Sequence, residues 1–161
     1  MQLNIVLINP QIPQNTGNVA RTCAATGANL HLVKPMGFEI TDKNLKRAGL
    51  DYWNKLNVTI YESLTEFLER TKGEEYWLYE TKSPYTHCDV SYKNNCYLLF
   101  GHENTGLPVK LLQDYRNSCV EIPMRQGLRS LNMSNCVAVG VYEVLRQWNF
   151  PMLSANFPPN L

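Results

Sequence analysis

Asn15, Arg21, Glu103, Arg125, Arg129, Ser130 and Asn132 are the side chains whose types and spacing point to chemistry, and they fall in three short segments. The first, Asn15-Thr-Gly-Asn18-Val-Ala-Arg21-Thr22, sets an arginine one to two turns into a helix that follows a strand. A guanidinium there holds a phosphate in a fixed two-point geometry, and as a permanent cation it orients and neutralises rather than accepting a proton. The plainer reading is an asparagine cap and a solvated helix face. The second, Gly101-His102-Glu103-Asn104-Thr105-Gly106-Leu107-Pro108, places two glycines around a polar loop, which permits positive φ or close approach of a ligand to the backbone. Glu103 is then a partner for a polar ligand or for Arg21, or an ordinary carboxylate near a helix start. His102 is a lone loop histidine. The third, Ile122-Pro-Met-Arg-Gln-Gly-Leu-Arg-Ser130-Leu-Asn132-Met-Ser134-Asn135, runs from a strand straight into a long amphipathic helix. Loops at the carboxyl ends of strands that open helices suit polar or anionic ligands, because the first helical amides lack internal partners. Arg125 and Arg129 read either as solubility charges or as ligand contacts, and Ser130 or Asn132 caps the helix.

These segments need elements to hold them, and strands alternate with helices along the chain. Residues 3–8 read as a strand closed by Asn9-Pro10, and a helix follows from about Asn15. At roughly 100° per residue Val19, Ala20, Cys23, Ala24 and Gly27 share a packing face, with Asn15, Asn18, Arg21, Thr22 and Ala25 on the polar one. Residues 30–33 form a second strand, 41–48 a short helix capped by Thr41, and 58–61 a third strand. Ser63-Leu-Thr-Glu66 is a capping box for a helix over 64–71, which Gly73 stops. Residues 75–81 and 96–100 are strands separated by the polar segment 82–95. Residues 107–115 are helical with Pro108 at the start, 119–122 is the last strand, and 132–148 the longest helix. Met133, Val137, Val141, Val144 and Leu145 line one face of it. The small Cys136, Ala138 and Gly140 serve ordinary packing or close approach across a homodimer. The tail from Pro151 carries three prolines and reads as an extended segment. The expected class is α/β, a single domain over 1–161 with a mainly parallel sheet and helices on both faces.

Composition narrows the functions. At 161 residues, 44% hydrophobic and 18% charged, the chain has an ordinary globular balance. No apolar run approaches the roughly 20 residues of a membrane span. The start lacks a basic n-region and a cleavage site, so the expected location is cytoplasmic. The five cysteines form no CxxC pair, and free thiols fit a reducing compartment. His31, His87 and His102 show no ligand spacing, so no metal is expected. A net charge of +1 excludes a strongly basic nucleic-acid coat but leaves room for a local patch from Lys34, Lys43, Lys46, Arg47, Arg125 and Arg129. Neither G-x-G-x-x-G nor a P-loop is present, and Lys34-Pro35 stands where a dinucleotide oxidoreductase carries an acidic residue.

Asn15-(x)5-Arg21-Thr22, Gly101-x-Glu103-x-x-Gly106-Leu107-Pro108 and Ile122-Pro123-Met124-(x)5-Ser130-Leu131-Asn132-x-Ser134-Asn135 together resemble, in order and gaps, the three motifs of the SPOUT class of S-adenosylmethionine-dependent RNA methyltransferases. Leu45-Lys-Arg-Ala-Gly-Leu-Asp-Tyr-Trp53 and the small size resemble one subgroup, the TrmL-like tRNA wobble-nucleotide 2′-O-methyltransferases. The likeness spans essentially the whole chain. It implies a carboxyl-terminal trefoil knot, which no general rule of chain topology would predict. It also implies S-adenosylmethionine bound against Tyr79, Thr81, Gly101, Ile122, Met124, Ser130 and Leu131, largely through backbone groups. Asn15, Arg21, Glu103, Ser130 and Asn132 take the reactive roles, and Asn18, Arg125, Arg129 and Tyr142 the substrate contacts. The implied partners are a tRNA anticodon stem-loop and a second copy of the chain, which doubles the basic surface. No metal is needed, since the sulfonium already makes its methyl electrophilic and the protein must align the ribose 2′-oxygen and help remove its proton. Arg21 is expected to hold the adjacent phosphate and stabilise the developing alkoxide, with that phosphate a candidate proton acceptor. The chain departs from the pattern at Gln126-Gly127-Leu128, where relatives vary, and at Tyr79, where a smaller apolar residue is common. Two other readings stay open: a ribose methyltransferase for another RNA position, and an RNA-binding module without turnover.

Overall fold

Leu3–Ile8 (β1) is buried along its whole length, as a strand covered on both faces must be. Leu3, Ile5 and Leu7 pack into one hydrophobic cluster, and Val6 and Ile8 into a second on the opposite face. The computed structural model describes residues 1–39, 53, 56–151 and 153. After β1 come α1 (Pro13–Thr26), β2 (Asn29–Val33), β3 (Val58–Tyr61), α2 (Leu64–Arg70), β4 (Glu75–Tyr79) and β5 (Tyr85–Thr86). Then follow β6 (Cys96–Phe100), α3 (Val109–Asp114), β7 (Cys119–Glu121) and α4 (Met133–Gln147). Among the described residues the strands make one sheet in the order β3-β2-β1-β6-β4-β7-β5, every named pair parallel. Val19, Ala20 and Cys23 of α1 and Val137, Val141 and Val144 of α4 cover one face. Phe67 of α2 and Leu111 of α3 cover the other. The expected α/β class with helices on both faces is therefore what the chain forms.

Local signals explain most boundaries. Ser63 Oγ accepts from Glu66 N–H (3.1 Å), as the capping box requires, while the Glu66 carboxylate accepts from Glu62 N–H (2.7 Å), one residue ahead of the usual partner. α2 ends at Arg70, before Gly73, with Thr71 as its cap, whose N–H and Oγ1–H both donate to Phe67 O (3.0 and 2.7 Å). Asn132 caps α4 by accepting from Ser134 N–H (2.9 Å). Two expectations for α1 are corrected. The helix begins at Pro13, and Asn15, Thr16 and Gly17 are buried, because its first turn lies under the loop that follows β6. Gly27 is not on the packing face but forms the exposed left-handed cap. The two-residue β5 falls inside the segment read as a polar connection; so short a strand has no period to read. The expected helix over 41–48, Lys43, Lys46, Arg47, most of the 45–53 segment and most of the tail after Pro151 lie outside the described residues.

At the amino ends of the strands a row of amides follows the sheet order. Asn57 Nδ2 donates to Asn29 Oδ1 (3.0 Å), Asn29 Nδ2 to Asn4 Oδ1 (2.8 Å), Asn4 Nδ2 to Asn95 Oδ1 (3.2 Å) and Asn95 Nδ2 to the Glu74 carboxylate (2.6 Å). His31 of β2 joins it through Nε2 to Asn4 Oδ1 (3.3 Å), while its Nδ1 meets the Tyr61 hydroxyl (2.9 Å). Tyr61, Phe67 and Tyr97 surround that imidazole. This end of the sheet is locked, which leaves the carboxyl ends for a ligand.

Candidate active site

The loops after β4, β6 and β7 and the first turns of α4 enclose a cavity of about 310 Å³, at the lower end of the roughly 300–1,000 Å³ typical of small-molecule sites. Tyr79, Thr81, Gly101, Ile122, Met124, Ser130 and Leu131, the positions expected to meet a methyl donor, all stand on its wall, with Glu103 and Arg129. Local chemistry shapes that wall. A Cβ on Gly101 would run into the backbone of Gly106 and Leu107 N, so only glycine lets the two ends of the loop close on each other. Gly106 has φ +72°, the left-handed region, and donates its N–H to His102 O (2.8 Å). The lining therefore presents backbone and short polar groups together with apolar Ile122, Met124 and Met133, a mixture that fits a nucleoside carrying a charged sulfur.

Tyr79 does not obstruct the cavity as its bulk suggests. Its ring stacks on Phe100 (4.8 Å between centroids) and fills the space opposite Gly140, where a Cβ would lie 2.8 Å from Cζ. Its hydroxyl pairs with that of Tyr92 (2.9 Å), which in turn donates to His87 O (2.6 Å). Burial pushes the Tyr79 hydroxyl well above its ordinary pKa, so it stays protonated. Gly140, one of the small residues open to a partner-facing reading, thus serves the fold of its own chain. Cys136 also reaches the wall; burial raises its thiol pKa, which makes it a packing group rather than a nucleophile near neutral pH.

One directional relay joins the three motif segments. Ser134 N–H and Oγ–H donate to Asn132 Oδ1 (2.9 and 2.7 Å), Asn132 Nδ2 donates to Asn15 Oδ1 (3.0 Å), and Asn15 Nδ2 donates to Glu103 Oε1 (3.3 Å). Glu103 further accepts from Gln11 N–H (2.9 Å) and Ile12 N–H (3.0 Å), so its charge sits at the amino end of α1. The carboxylate near a helix start is thus at the start of α1, far off in sequence, rather than of the helix that follows it. Arg21 and Asn18 are exposed on α1, Arg125 and Arg129 on the loop before α4, and Tyr142 on α4 at 51%. Lys34 of the expected basic patch is paired with Glu62 (2.7 Å). Sequence reasoning missed Glu80 and Glu121, both on the cavity wall, and the relay role of Ser134. Ser134 lay inside a quoted motif, whereas Glu80 gave no signal because it belongs to no recurring pattern.

A parallel α/β sheet with a nucleoside-sized cavity beyond its carboxyl ends, with Arg129 on the cavity wall, fits a nucleotide-handling enzyme class. Residues 2–142 match the SpoU rRNA Methylase family, and the chain belongs to that family. It is 45% identical over 150 residues to a protein of Escherichia coli (strain K12) named tRNA (cytidine(34)-2′-O)-methyltransferase, covering 92% of this chain and 96% of that one. A protein of Saccharophagus degradans with the same name is 44% identical over 148 residues, covering 91% and 96%. Among solved structures, one described as giving insights into 2-OH methylation of C/U34 on tRNA is 40% identical with a TM-score of 0.87, covering 92% of this chain and 97% of that one. Among the described residues no helix is long and apolar enough to cross a membrane, and no cluster of three or more His, Cys, Asp or Glu is placed to hold a metal.

Proposed function

We propose that this chain methylates the ribose 2′-oxygen of the wobble nucleotide, position 34, of tRNA, with cytidine or uridine as the target base and S-adenosylmethionine as the donor. The observation that carries this reading is convergence: the second and third motif segments line one cavity, and the relay from Asn132 through Asn15 to Glu103 ties the first segment to both. Tyr79, Thr81, Gly101, Ile122, Met124, Ser130 and Leu131 would hold the donor, whose sulfonium supplies an electrophilic methyl group. Ser130 stands on the donor wall, where its hydroxyl also helps order the ribose. Arg21 binds the phosphate beside the target ribose and stabilises negative charge on the 2′-oxygen as its proton leaves, with that phosphate as acceptor. Asn15, Glu103 and Asn132 fix the helix that carries Arg21. Asn18, Arg125 and Tyr142 are exposed away from the cavity wall and Arg129 is exposed on it, and the four would contact the anticodon stem-loop or a second subunit.

The reading extends to a single domain over 1–161, a homodimer, a carboxyl-terminal knot and a cytoplasmic location. Exposed Leu128 on the third loop and exposed Val139 and Tyr142 on α4 support the dimer, since large apolar side chains left open on neighbouring stretches of sequence favour a covered face. The packing of α4 behind an earlier loop, through Gln147 Nε2 to Val90 O and Trp148 Nε1 to Tyr92 O (both 2.9 Å), supports the knot. Sedimentation at the mass of one 18.5-kDa chain would refute the dimer, and an unthreaded carboxyl-terminal trace in a crystal structure the knot.

The deciding experiment incubates the protein with labelled donor and unmodified bulk tRNA and maps the methylated nucleotide. Label on the ribose at position 34 is expected. Label on another ribose favours the second reading, a ribose methyltransferase of different site specificity. Label on a base, or none, sinks both. In the same assay Arg21→Lys should lose at least roughly tenfold in turnover, because an ammonium cannot reproduce the two-point contact.

A further inference from the structure

Glu80 follows β4 and lies in none of the three motif segments, yet its carboxylate joins two walls of the cavity. Oε1 accepts from Thr81 N–H (2.9 Å) and Thr81 Oγ1–H (3.3 Å), and Oε2 accepts from Leu107 N–H (3.0 Å). Its own N–H donates to Val120 O (3.0 Å) on β7, and its carbonyl accepts from Ser83 Oγ–H (2.7 Å). One residue therefore ties β7, the turn after β4 and the loop over 101–107. Gly106 is held against the carboxylate, since a Cβ there would strike Glu80 Oε2, and Gly101 packs on the backbone of Gly106 with no space between. The place of Leu107 N–H thus fixes where Gly101 stands, and Gly101 is on the cavity wall. A carboxylate accepts on both sides while presenting no donor; a carboxamide there would turn an NH2 toward one of the two amides.

We propose that Glu80 is a positioning residue for the donor cavity, bracing the loop over 101–107 against the end of β4 so that the wall is formed before the ligand arrives. This rests on the reading of the cavity as the S-adenosylmethionine site. A loop already ordered spares the ligand the entropy of ordering it, so the brace acts on affinity for donor and product alike.

Ligand-free protein gives the first test. Amide hydrogen exchange at Gly106 and Leu107 should rise roughly tenfold or more in Glu80→Ala, while β1 and β2 amides keep their protection. Calorimetric titration with S-adenosylmethionine and with S-adenosylhomocysteine gives the second. Both dissociation constants should rise together, roughly tenfold in Glu80→Ala and by less in Glu80→Gln, which keeps an acceptor for Leu107. In the methylation assay the donor KM should rise by a similar factor, with kcat falling much less. Unchanged exchange at Leu107 overturns the brace. So does a loss confined to S-adenosylmethionine, which would make the effect one of charge on the sulfonium. Loss of protection throughout the sheet, with binding of the folded fraction intact, overturns it as well. If Glu80→Ala does not fold, Glu80→Gln carries the comparison. A wild-type protein that binds neither compound removes the donor reading and this proposal with it.

Discussion

Asn15 illustrates why residue type alone underdetermines a site. Its amide donates to Glu103 with one end and accepts from Asn132 with the other, a pairing that aspartate of the same length would break by presenting two acceptors. Because Asn132 is oriented by two donors from Ser134, the relay has one direction and each member sets the next. Partly enclosed networks of this kind are not sums of pairs. Asn15→Ala and Asn132→Ala should each lower stability by about 1–2 kcal/mol, and the double variant should cost less than their sum by at least about 0.5 kcal/mol. Urea unfolding of the four proteins measures this; strict additivity would show that the two amides act separately. The motif spacing made Asn15, Glu103 and Asn132 legible as a set. Their connection was not, because the contacts span 88 and 117 positions of sequence.

Elements place these residues, and α4 does so through a close fit. Its apolar period and its asparagine cap were readable in sequence, and the helix runs within one residue of the expected bounds. What the period cannot say is which neighbour each small residue meets. Gly140 lies against the Tyr79 ring, and Tyr79 both ends β4 and lines the cavity, so α4 packing and cavity shape are one problem. Gly140→Ala should therefore cost about 1–3 kcal/mol by overpacking, despite the better helix propensity of alanine. It should also weaken S-adenosylhomocysteine binding, as the ring moves toward Phe100. Calorimetry and thermal unfolding on the same variant check both parts; a stabilised protein with unaltered binding would mean that Tyr79 relaxes freely. Sheet order was likewise unreadable, since strand sequences carry inward and outward faces but not the identity of lateral neighbours.

Across the whole molecule the sheet is tied at both ends by amide rows that finish on a carboxylate, Glu103 at the carboxyl ends and Glu74 at the amino ends. The second row encloses the one buried imidazole among the described residues, and that makes stability depend on pH. Burial first, and the Arg70 charge second, lower the His31 pKa from 6.5 to about 4. Its ring instead stays neutral between Tyr61 and Asn4, with Nε2–H donating to the amide oxygen and Nδ1 accepting from the hydroxyl. Between those two values the unfolded chain binds a proton that the folded chain refuses. Stability from this group is thus full above about pH 6.5 and is lost as pH falls toward 4. Going from pH 7.5 to pH 5 should cost about 2 kcal/mol beyond what His31→Gln loses over the same range. Urea midpoints for both proteins at the two pH values read the difference directly. Parallel losses in wild type and variant would place the acid sensitivity in the carboxylates instead, and His31 would then be a proton acceptor in the folded state despite its aromatic enclosure.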